Sequence, residues 1–381
     1  MKSTTYQQRL LEANGFDPKT PIVGHIKIGL LGMGGYFSQI FQGGHNYIHY
    51  ENGKYFHIEI ARHVPVEQDG YGIFMNADVI IQLVNGDVGE MMLSPLYAIG
   101  NVLSLYRYPK NIQQWLLGVA AKRNNIHNGA LNKNSPYVFK QLQTFSSYNL
   151  HCPNLTVPES TLKWWVLKPD NDAMSKNVCF LDGSRANLIT ILNLFRGHSN
   201  DVSYKEAMET ITTLQSKDIL KLKRNANNKD YEFKKYFGGH IVAQERICDF
   251  EEYRLIKHMD GKIHILDRPH LEHEELPSNG DIHYTDIIGV WTHQHGFNAV
   301  AEKVHDFFKS SEFDQFMNLF LEHSAFQFTT GSIDLFITKN NEYGVFEFQP
   351  QFGVMDVPLS VMQEYRQSFF SYILTQFNRS K

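Results

Sequence analysis

FTTGSIDLFITKNNEYGVFEFQPQFG, residues 328 to 353, reads as two strands joined by a polar turn. SIDLFIT (332–338) is the first strand and KNNEYG (339–344) the turn, with Gly344 closing it. VFEFQ (345–349) is the second strand, ended by Pro350. Asp334 and Glu347 each sit between apolar or aromatic neighbours. If both side chains point to one side of the hairpin, a carboxylate from each strand converges in a mostly hydrophobic setting. Bare neighbouring carboxylates repel and are costly to desolvate, so the pair calls for a cation; oxygen ligands shared by Mg²⁺ beside nucleotide phosphates are one stable solution. A surface hairpin with both acids facing water is the alternative, and the rest of the chain has to decide between them.

The chain has 381 residues, 42% hydrophobic and 13% aromatic, enough for two or three packed subdomains. Thirty-six basic against forty acidic residues give a net charge of -4, which argues against a dedicated nucleic-acid binder. Three scattered cysteines, Cys152, Cys179 and Cys248, suggest neither a disulfide framework nor a zinc knuckle, and fit a reducing compartment. The first residues, MKSTTYQQRLLEANGFDP, hold no apolar signal core, and no apolar run is long enough to span a bilayer. The expectation is a cytoplasmic protein with no nucleic-acid or membrane partner.

Residues 22–31, IVGHIKIGLL, form an apolar run followed by Gly32-Met33-Gly34-Gly35 and YFSQIF, a strand, glycine turn and helix in sequence. YFHIEIARHV and NADVIIQLVNGD read as further strands, which makes the first part of the chain an α/β unit. Between Asn124 and Pro158 the composition turns polar, with a short helical pattern in a connection between domains. TLKWWVLK (161–168) is an aromatic-rich strand ending at Lys168 and Pro169, followed by a polar loop and the strand of NVCFLDG. A lysine there either snorkels to the surface or meets phosphate at the strand end. Helical periodicity governs RANLITILNLFRG and SYKEAMETITTLQS, the latter with a capping box at Ser203 and Glu206. HIVAQERI reads as a strand ending at Gln244 and Glu245. EYRLIKH and KIHILDR are strands around an Asp260-Gly261 turn, one carrying Arg254 and the other Arg268. Residues 297–322 have helical spacing, and VPLSVMQEYRQSFFSYILTQF closes the chain as an amphipathic helix whose aromatics suit a homodimer.

The order of these pieces resembles the ATP-grasp superfamily of carboxylate–amine ligases, from about Lys133 to Gly353. The resemblance implies an α/β fold in which an N-terminal Rossmann-like pre-ATP-grasp domain (1–125) precedes a two-subdomain ATP-grasp body: linker and lid at 126–245, and a C-terminal subdomain at 246–381. It implies ATP and Mg²⁺ as cofactors, and small-molecule or peptide carboxylate and amine substrates. By position, Lys168 contacts the adenine and α-phosphate region. Lys133 is the earlier lysine, with Lys140 competing. Gln244, Glu245, Arg246 and Ile247 form the segment that holds adenine. Arg254 and Arg268 reach phosphates or the acyl phosphate, and Asp334, Glu347 and Gln349 are the Mg²⁺ ligands.

The chain departs from the superfamily at three places. Gln349 stands where Asn is usual, the loop PDNDAMSKN after Lys168 lacks glycines that let backbone N–H groups approach phosphate, and the stretch between Pro158 and Thr161 is short. An ATP-grasp kinase or a catalytically weak ATP-binding protein is therefore a second reading, and an NAD-dependent oxidoreductase built on Gly32 to Gly35 a third. His293 with His295 and His270 with His273 have spacings a transition metal can use. The walls of the substrate site are expected at Gly32 to Gly35 and in the loop after Val84.

Overall fold

A computed structural model describes residues 5–31, 40–41, 45–63, 77–82, 102–104, 110–123, 126, 130–146, 164–169, 178–195, 201–222, 241–268, 286–322, 330–349 and 357–377. The described residues form a mixed α/β architecture with three sheets. In chain order the first group is α1 (Tyr6–Ala13), β1 (Ile22–Leu31), β2 (Asn46–Glu51), β3 (Lys54–His63), β4 (Val79–Gln82), β5 (Val102–Ser104) and α2 (Lys110–Arg123). Its five strands run in the order β2-β3-β1-β4-β5. All neighbours pair in parallel except β2 and β3. Those two are a hairpin around Asn52 (φ 50) and Gly53 (φ 76), the dipeptide that a tight turn with two left-handed residues requires. The turn Gly32 to Gly35 and the loop after Val84 lie outside the described residues.

The second sheet, β10-β9-β8-β11-β7, uses β7 (Thr144–Ser146), β8 (Trp164–Pro169), β9 (Cys179–Asp182), β10 (Leu220–Leu222) and β11 (Ile241–Glu245). Helices α3 (Arg185–Phe195) and α4 (Asp201–Ser216) cover one face. Leu188, Ile191, Leu192 and Ile211 pack there on Trp165, Leu167, Leu181 and Ala243, each fully buried apolar side chain contributing about 1.5–3 kcal/mol. Strand alternation therefore sends Lys168 and Gln244 to the opposite face. Helix α4 begins at Asp201, so Ser203 lies inside its first turn and is not the N-cap that the spacing to Glu206 suggests.

The third sheet has seven strands in the order β15-β14-β13-β12-β16-β17-β6. They are β6 (Val138–Phe139), β12 (Phe250–Lys257), β13 (Ile263–Arg268), β14 (Ile287–Thr292), β15 (Gly296–Ala299), β16 (Gly331–Thr338) and β17 (Glu342–Gln349). A 3-10 turn (Asp306–Lys309) and α5 (Ser311–Glu322) cover one face. Phe307, Phe313, Phe316 and Met317 pack there on Tyr253, Leu255, Ile333, Leu335 and Tyr343. The helical spacing of 297–322 thus becomes a strand, a 3-10 turn and a helix that starts only at Ser311. Helix α6 (Leu359–Phe377) lies between the first and third sheets. Tyr365, Phe369 and Phe370 are buried against Ile28, Ile58, Ile81, Ile256 and Leu266, so the aromatics taken as a reason for dimerisation are used within the chain.

The helical pattern expected between Asn124 and Pro158 is replaced by β6 and β7. Phe139, Leu142 and Phe145 have a three-residue spacing, yet each enters a different core, because the segment crosses from the third sheet to the second. Gly344 is likewise not the turn residue. The turn is Lys339–Asn341, with Asn341 at φ 60, and Gly344 lies inside β17. A Cβ there would stand 2.4 Å from the Lys140 carbonyl oxygen, so glycine lets β6 run parallel and close.

Candidate active site

The hairpin of β16 and β17 does what its sequence suggested, through a device that the sequence did not announce. From Ile337 and Tyr343 inward the strands pair in simple register, which would set Phe346 opposite Asp334. A β-bulge inserts one residue at this point, and Glu347 becomes the partner of Asp334 instead. Beyond the bulge Phe348 turns to the buried core, while Glu347 and Gln349 share the face of Asp334. The Gln349 amide donates to Glu347 Oε1 at 3.1 Å. The open-hairpin alternative fails for Asp334, which is 5% exposed.

Two arginines complete this face. Arg254 on β12 is the register partner of Asp334 and grips it with both nitrogens, Nε to Oδ1 and Nη2 to Oδ2, each at 2.6 Å. Arg268 on β13 reaches the same carboxylate diagonally, Nη1 to Oδ2 at 3.0 Å. Its own register partner is Glu252, fully buried, which accepts from the same Nη1. Burial would raise the Asp334 pKa, but the two guanidiniums overcome it and hold the carboxyl below its usual value. For Glu252 burial prevails over Arg268, and its pKa is raised. Glu252 is a residue that sequence reasoning missed. The signal was the alternation of FEEYRL, which places Glu252 and Arg254 on one face and Tyr253 and Leu255 on the other.

The second sheet supplies cations from across this face. Lys168 donates to Gln244 Oε1 at 2.8 Å, and Gln244 in turn approaches the Phe346 carbonyl. Lys168 is also close enough to Glu252 to lower its pKa electrostatically. Glu245 at the end of β11 is buried, pairs with Lys140 at 3.0 Å and accepts from the Gln143 amide. Burial would lower the pKa of Lys140, but Glu245 and Glu342 overcome it and keep the ammonium charged. Ile247 packs with Leu142 and Phe336 beside Phe250 and Phe346, an apolar patch next to the charged cluster. The Arg246 guanidinium lies 5.4 Å from the centre of the Phe180 ring.

Lys133 is not among these groups. It is exposed, on a loop whose Leu131 and Asn132 amides donate to the buried Glu312 carboxylate of α5, on the covered side of the third sheet. Lys140 is the lysine of the two that stands beside Glu245. Helix α2 contributes a group that the sequence did not single out: Lys110 Nζ is 3.8 Å from Glu347 Oε1. Gln113 and Gln114 of the same helix hydrogen-bond the backbone of Phe348 and Phe346, fixing that approach.

The donors present suit a hard divalent cation. Asp334, Glu347 and Gln349 offer oxygens at adjacent register positions on one face, and an amide flip of Gln349 exchanges its nitrogen for oxygen. Among the described residues no cluster of three His, Cys, Asp or Glu side chains has metal-binding geometry. His293 is exposed and pairs with Asn318, while His270 and His273 lie outside the described residues. Among the described residues no helix is long and apolar enough to cross a membrane.

No protein-family description and no curated protein sequence matches the chain. Solved structures do. D-alanine–D-alanine ligase from Bacillus anthracis in complex with ATP is 12% identical, covering 93% of this chain and 97% of its own at a TM-score of 0.47. The D-cycloserine synthetase DcsG is 10% identical, covering 91% and 99% at 0.41. N5-carboxyaminoimidazole synthetase from Staphylococcus aureus is 12% identical, covering 86% and 70% at 0.40. All three are ligases or synthetases, the class that the order of sequence motifs resembles. With identities this low and TM-scores below 0.5, they assign neither activity nor site residues.

Proposed function

We propose that the chain is an ATP-grasp ligase that joins a carboxylate to an amine or related nucleophile at the expense of ATP. The observation that carries this reading is the charged face of the third sheet. Asp334 and Glu347 are register partners beside Arg254 and Arg268, and Lys168 stands opposite on the second sheet. Four cations, Lys110, Lys168, Arg254 and Arg268, meet three carboxylates, Glu252, Asp334 and Glu347. A polyanion is the ligand that such a cleft accepts, and two facing sheets are the means of enclosing one. Asp334, Glu347 and Gln349 would hold Mg²⁺, which supplies charge neutralisation on the phosphates when bound.

In this reading Lys140, Gln244, Glu245, Arg246 and Ile247 bound the adenine end, with the Ile247–Phe336–Phe346 patch as its apolar wall. Lys133 takes no part, and Lys168 meets the phosphates. The substrate carboxylate attacks the γ-phosphorus, ADP leaves, and the nucleophile then displaces inorganic phosphate from the acyl phosphate. Arg254 and Arg268 stabilise the charge that develops on the transferring group, and no protein nucleophile is needed. The domain limits 1–125, 126–245 and 246–381 belong to the same proposal, with the substrates entering beside the first sheet.

The second reading, an ATP-binding protein with weak or kinase-type chemistry, is favoured by one feature: Asp334 already accepts from two guanidiniums, so a cation has to compete for it. Calorimetric titration of ATP with and without Mg²⁺, on the wild type and on Asp334→Asn/Glu347→Gln, tests both. Magnesium-dependent binding that the double variant loses is expected. ADP release with a carboxylate and amine pair then separates the ligase from the weak binder, and absence of any ATP binding refutes both.

A further inference from the structure

Glu347 stands opposite Asp334 because β17 carries one extra residue at Phe346, and an inserted residue has no ladder partner of its own to fix its place. The neighbouring strand β6 pairs with β17 at Glu342 and Tyr343, short of the bulge. Helix α2 meets the edge beyond. Gln114 Nε2 donates to the Phe346 carbonyl at 3.2 Å, and the Phe348 amide donates to Gln113 Oε1 at 3.2 Å, so two successive glutamines bracket Glu347 on its backbone. Lys110, one turn earlier on the helix, is 3.8 Å from the Glu347 carboxylate. Gln244 Nε2 also approaches the Phe346 carbonyl, but at 3.5 Å it lies outside the roughly 2.7–3.2 Å of a well-made bond. On its other side Gln114 Oε1 accepts from Thr144 Oγ1 of the second sheet at 3.5 Å.

We infer that Gln114 is a positioning residue for the metal-binding acids: by holding the Phe346 carbonyl it pins the bulge of β17 and keeps Glu347 opposite Asp334. The inference rests on the ligase reading for what the two acids bind, and on these hydrogen bonds for how they are placed. When residue 114 cannot donate, the Phe346 carbonyl is left to the longer contact from Gln244. The strand beyond Val345 then loosens, and only part of the molecules hold Glu347 in the paired register. A cation that needs both acids binds that part alone, so its apparent affinity falls by the fraction so arranged, while saturating cation draws the whole population back. Gln114 thus acts on the metal level that ATP binding requires and not on the affinity finally reached.

The test is calorimetric titration of ATP into the full chain at a series of Mg²⁺ concentrations, reading the Mg²⁺ level that gives half of the maximal affinity gain. In Gln114→Met, which keeps length and removes the donor, that level rises about two- to tenfold, the upper figure being what one hydrogen bond is worth. Affinity at saturating Mg²⁺ stays within about twofold of the wild type, because the cation restores the register. Thr144→Val, which removes only the contact to the second sheet, leaves the Mg²⁺ level unchanged. Without ligand, amide hydrogen exchange at Glu347 and Phe348 is faster in Gln114→Met and unchanged in Thr144→Val. A Gln114 that merely ties the two sheets predicts otherwise: equal effects in both variants, with affinity lost at saturation and no shift of the Mg²⁺ level. That pattern, or an unchanged Mg²⁺ level and exchange rate in Gln114→Met, overturns the inference and leaves the ligase reading standing. No ATP binding by the wild type at any Mg²⁺ concentration overturns both. If Gln114→Met does not fold, Gln114→Asn takes its place, since withdrawing the amide by one methylene weakens the same contact; the rise is then smaller, and its absence together with unchanged exchange is equally decisive against the inference.

Discussion

Replacing Asp334 by Asn removes the charge at the centre of the cluster and keeps the shape. Its side chain is 6% exposed and those of Arg254 and Arg268 are 13% and 5%, so this is a buried ion network and not a surface pair. Removing one partner of such a network leaves the other charges buried and uncompensated, which costs about 3–5 kcal/mol. Against a total stability of about 5–15 kcal/mol the loss is readily measured by urea denaturation followed by tryptophan fluorescence. Asp334→Leu/Arg254→Met, which removes both members and fills the space, should be more stable than Asp334→Asn, because a buried pair replaced by apolar groups of similar volume is nearly neutral. Saturating MgATP, at about a hundred times its dissociation constant, should add about 2.7 kcal/mol to the wild type and nothing to either variant. A loss below about 1 kcal/mol in Asp334→Asn is what an exposed salt bridge gives, and would refute the buried network on which the site is built.

Lys140→Met should weaken ATP binding about tenfold by removing one charge-assisted contact near Glu245, whereas Lys133→Met should leave it unchanged; calorimetry on both discriminates the two lysines. Gly344→Ala should cost about 1–3 kcal/mol, since its Cβ meets the Lys140 carbonyl and Phe336, and should speed hydrogen exchange of the Lys140 amide, which bonds the Tyr343 carbonyl at 2.7 Å. His258, buried against His264 and Tyr365, has its pKa lowered from 6.5 to about 3 by burial first and by His264 second. The unfolded chain therefore binds the extra proton, so the contribution of His258 is fully present above pH 6.5 and is lost as pH falls from there toward 3. Urea denaturation between pH 4 and 7 should show a slope of up to about 1.4 kcal/mol per pH unit that His258→Gln reduces; equal slopes in the two proteins would contradict this.

The elements that sequence reasoning reached are those in which local pattern and tertiary role agree. EYRLIKH and KIHILDR turn at Gly261, and 359–377 is one helix, because alternation and helical spacing there coincide with a single buried face. Segment 138–146 defeats the same logic. Its three apolar side chains are spaced as on a helix but answer to three different cores, and no local window contains that information. The Asn52-Gly53 turn was legible and passed over, although it fixes the antiparallel edge of the first sheet.

At the site the types of residue were legible and their partnerships were not. Cross-strand pairing is what makes Glu252 the counter-charge of Arg268 and Arg254 that of Asp334, and register follows from hydrogen bonding between residues 16 and 80 positions apart in sequence rather than from composition. The bulge at Phe346 is the sharpest case. Counted from the turn, alternation alone would set an aromatic ring opposite Asp334, and the two acids of the hairpin would never meet. One inserted residue changes the outcome, because every side chain beyond it switches face. Deleting Phe346 should therefore restore simple register only by keeping Glu347 opposite Asp334, whereas Phe346→Gly should leave the bulge intact and remove only its packing on Phe250 and Phe336. If the bulge serves the acids and not the aromatic cluster, the deletion variant keeps magnesium-dependent ATP binding within about an order of magnitude of Phe346→Gly, as the pairing argument requires; its complete loss in the deletion variant alone would show that the bent strand, and not the pairing, places the carboxylates.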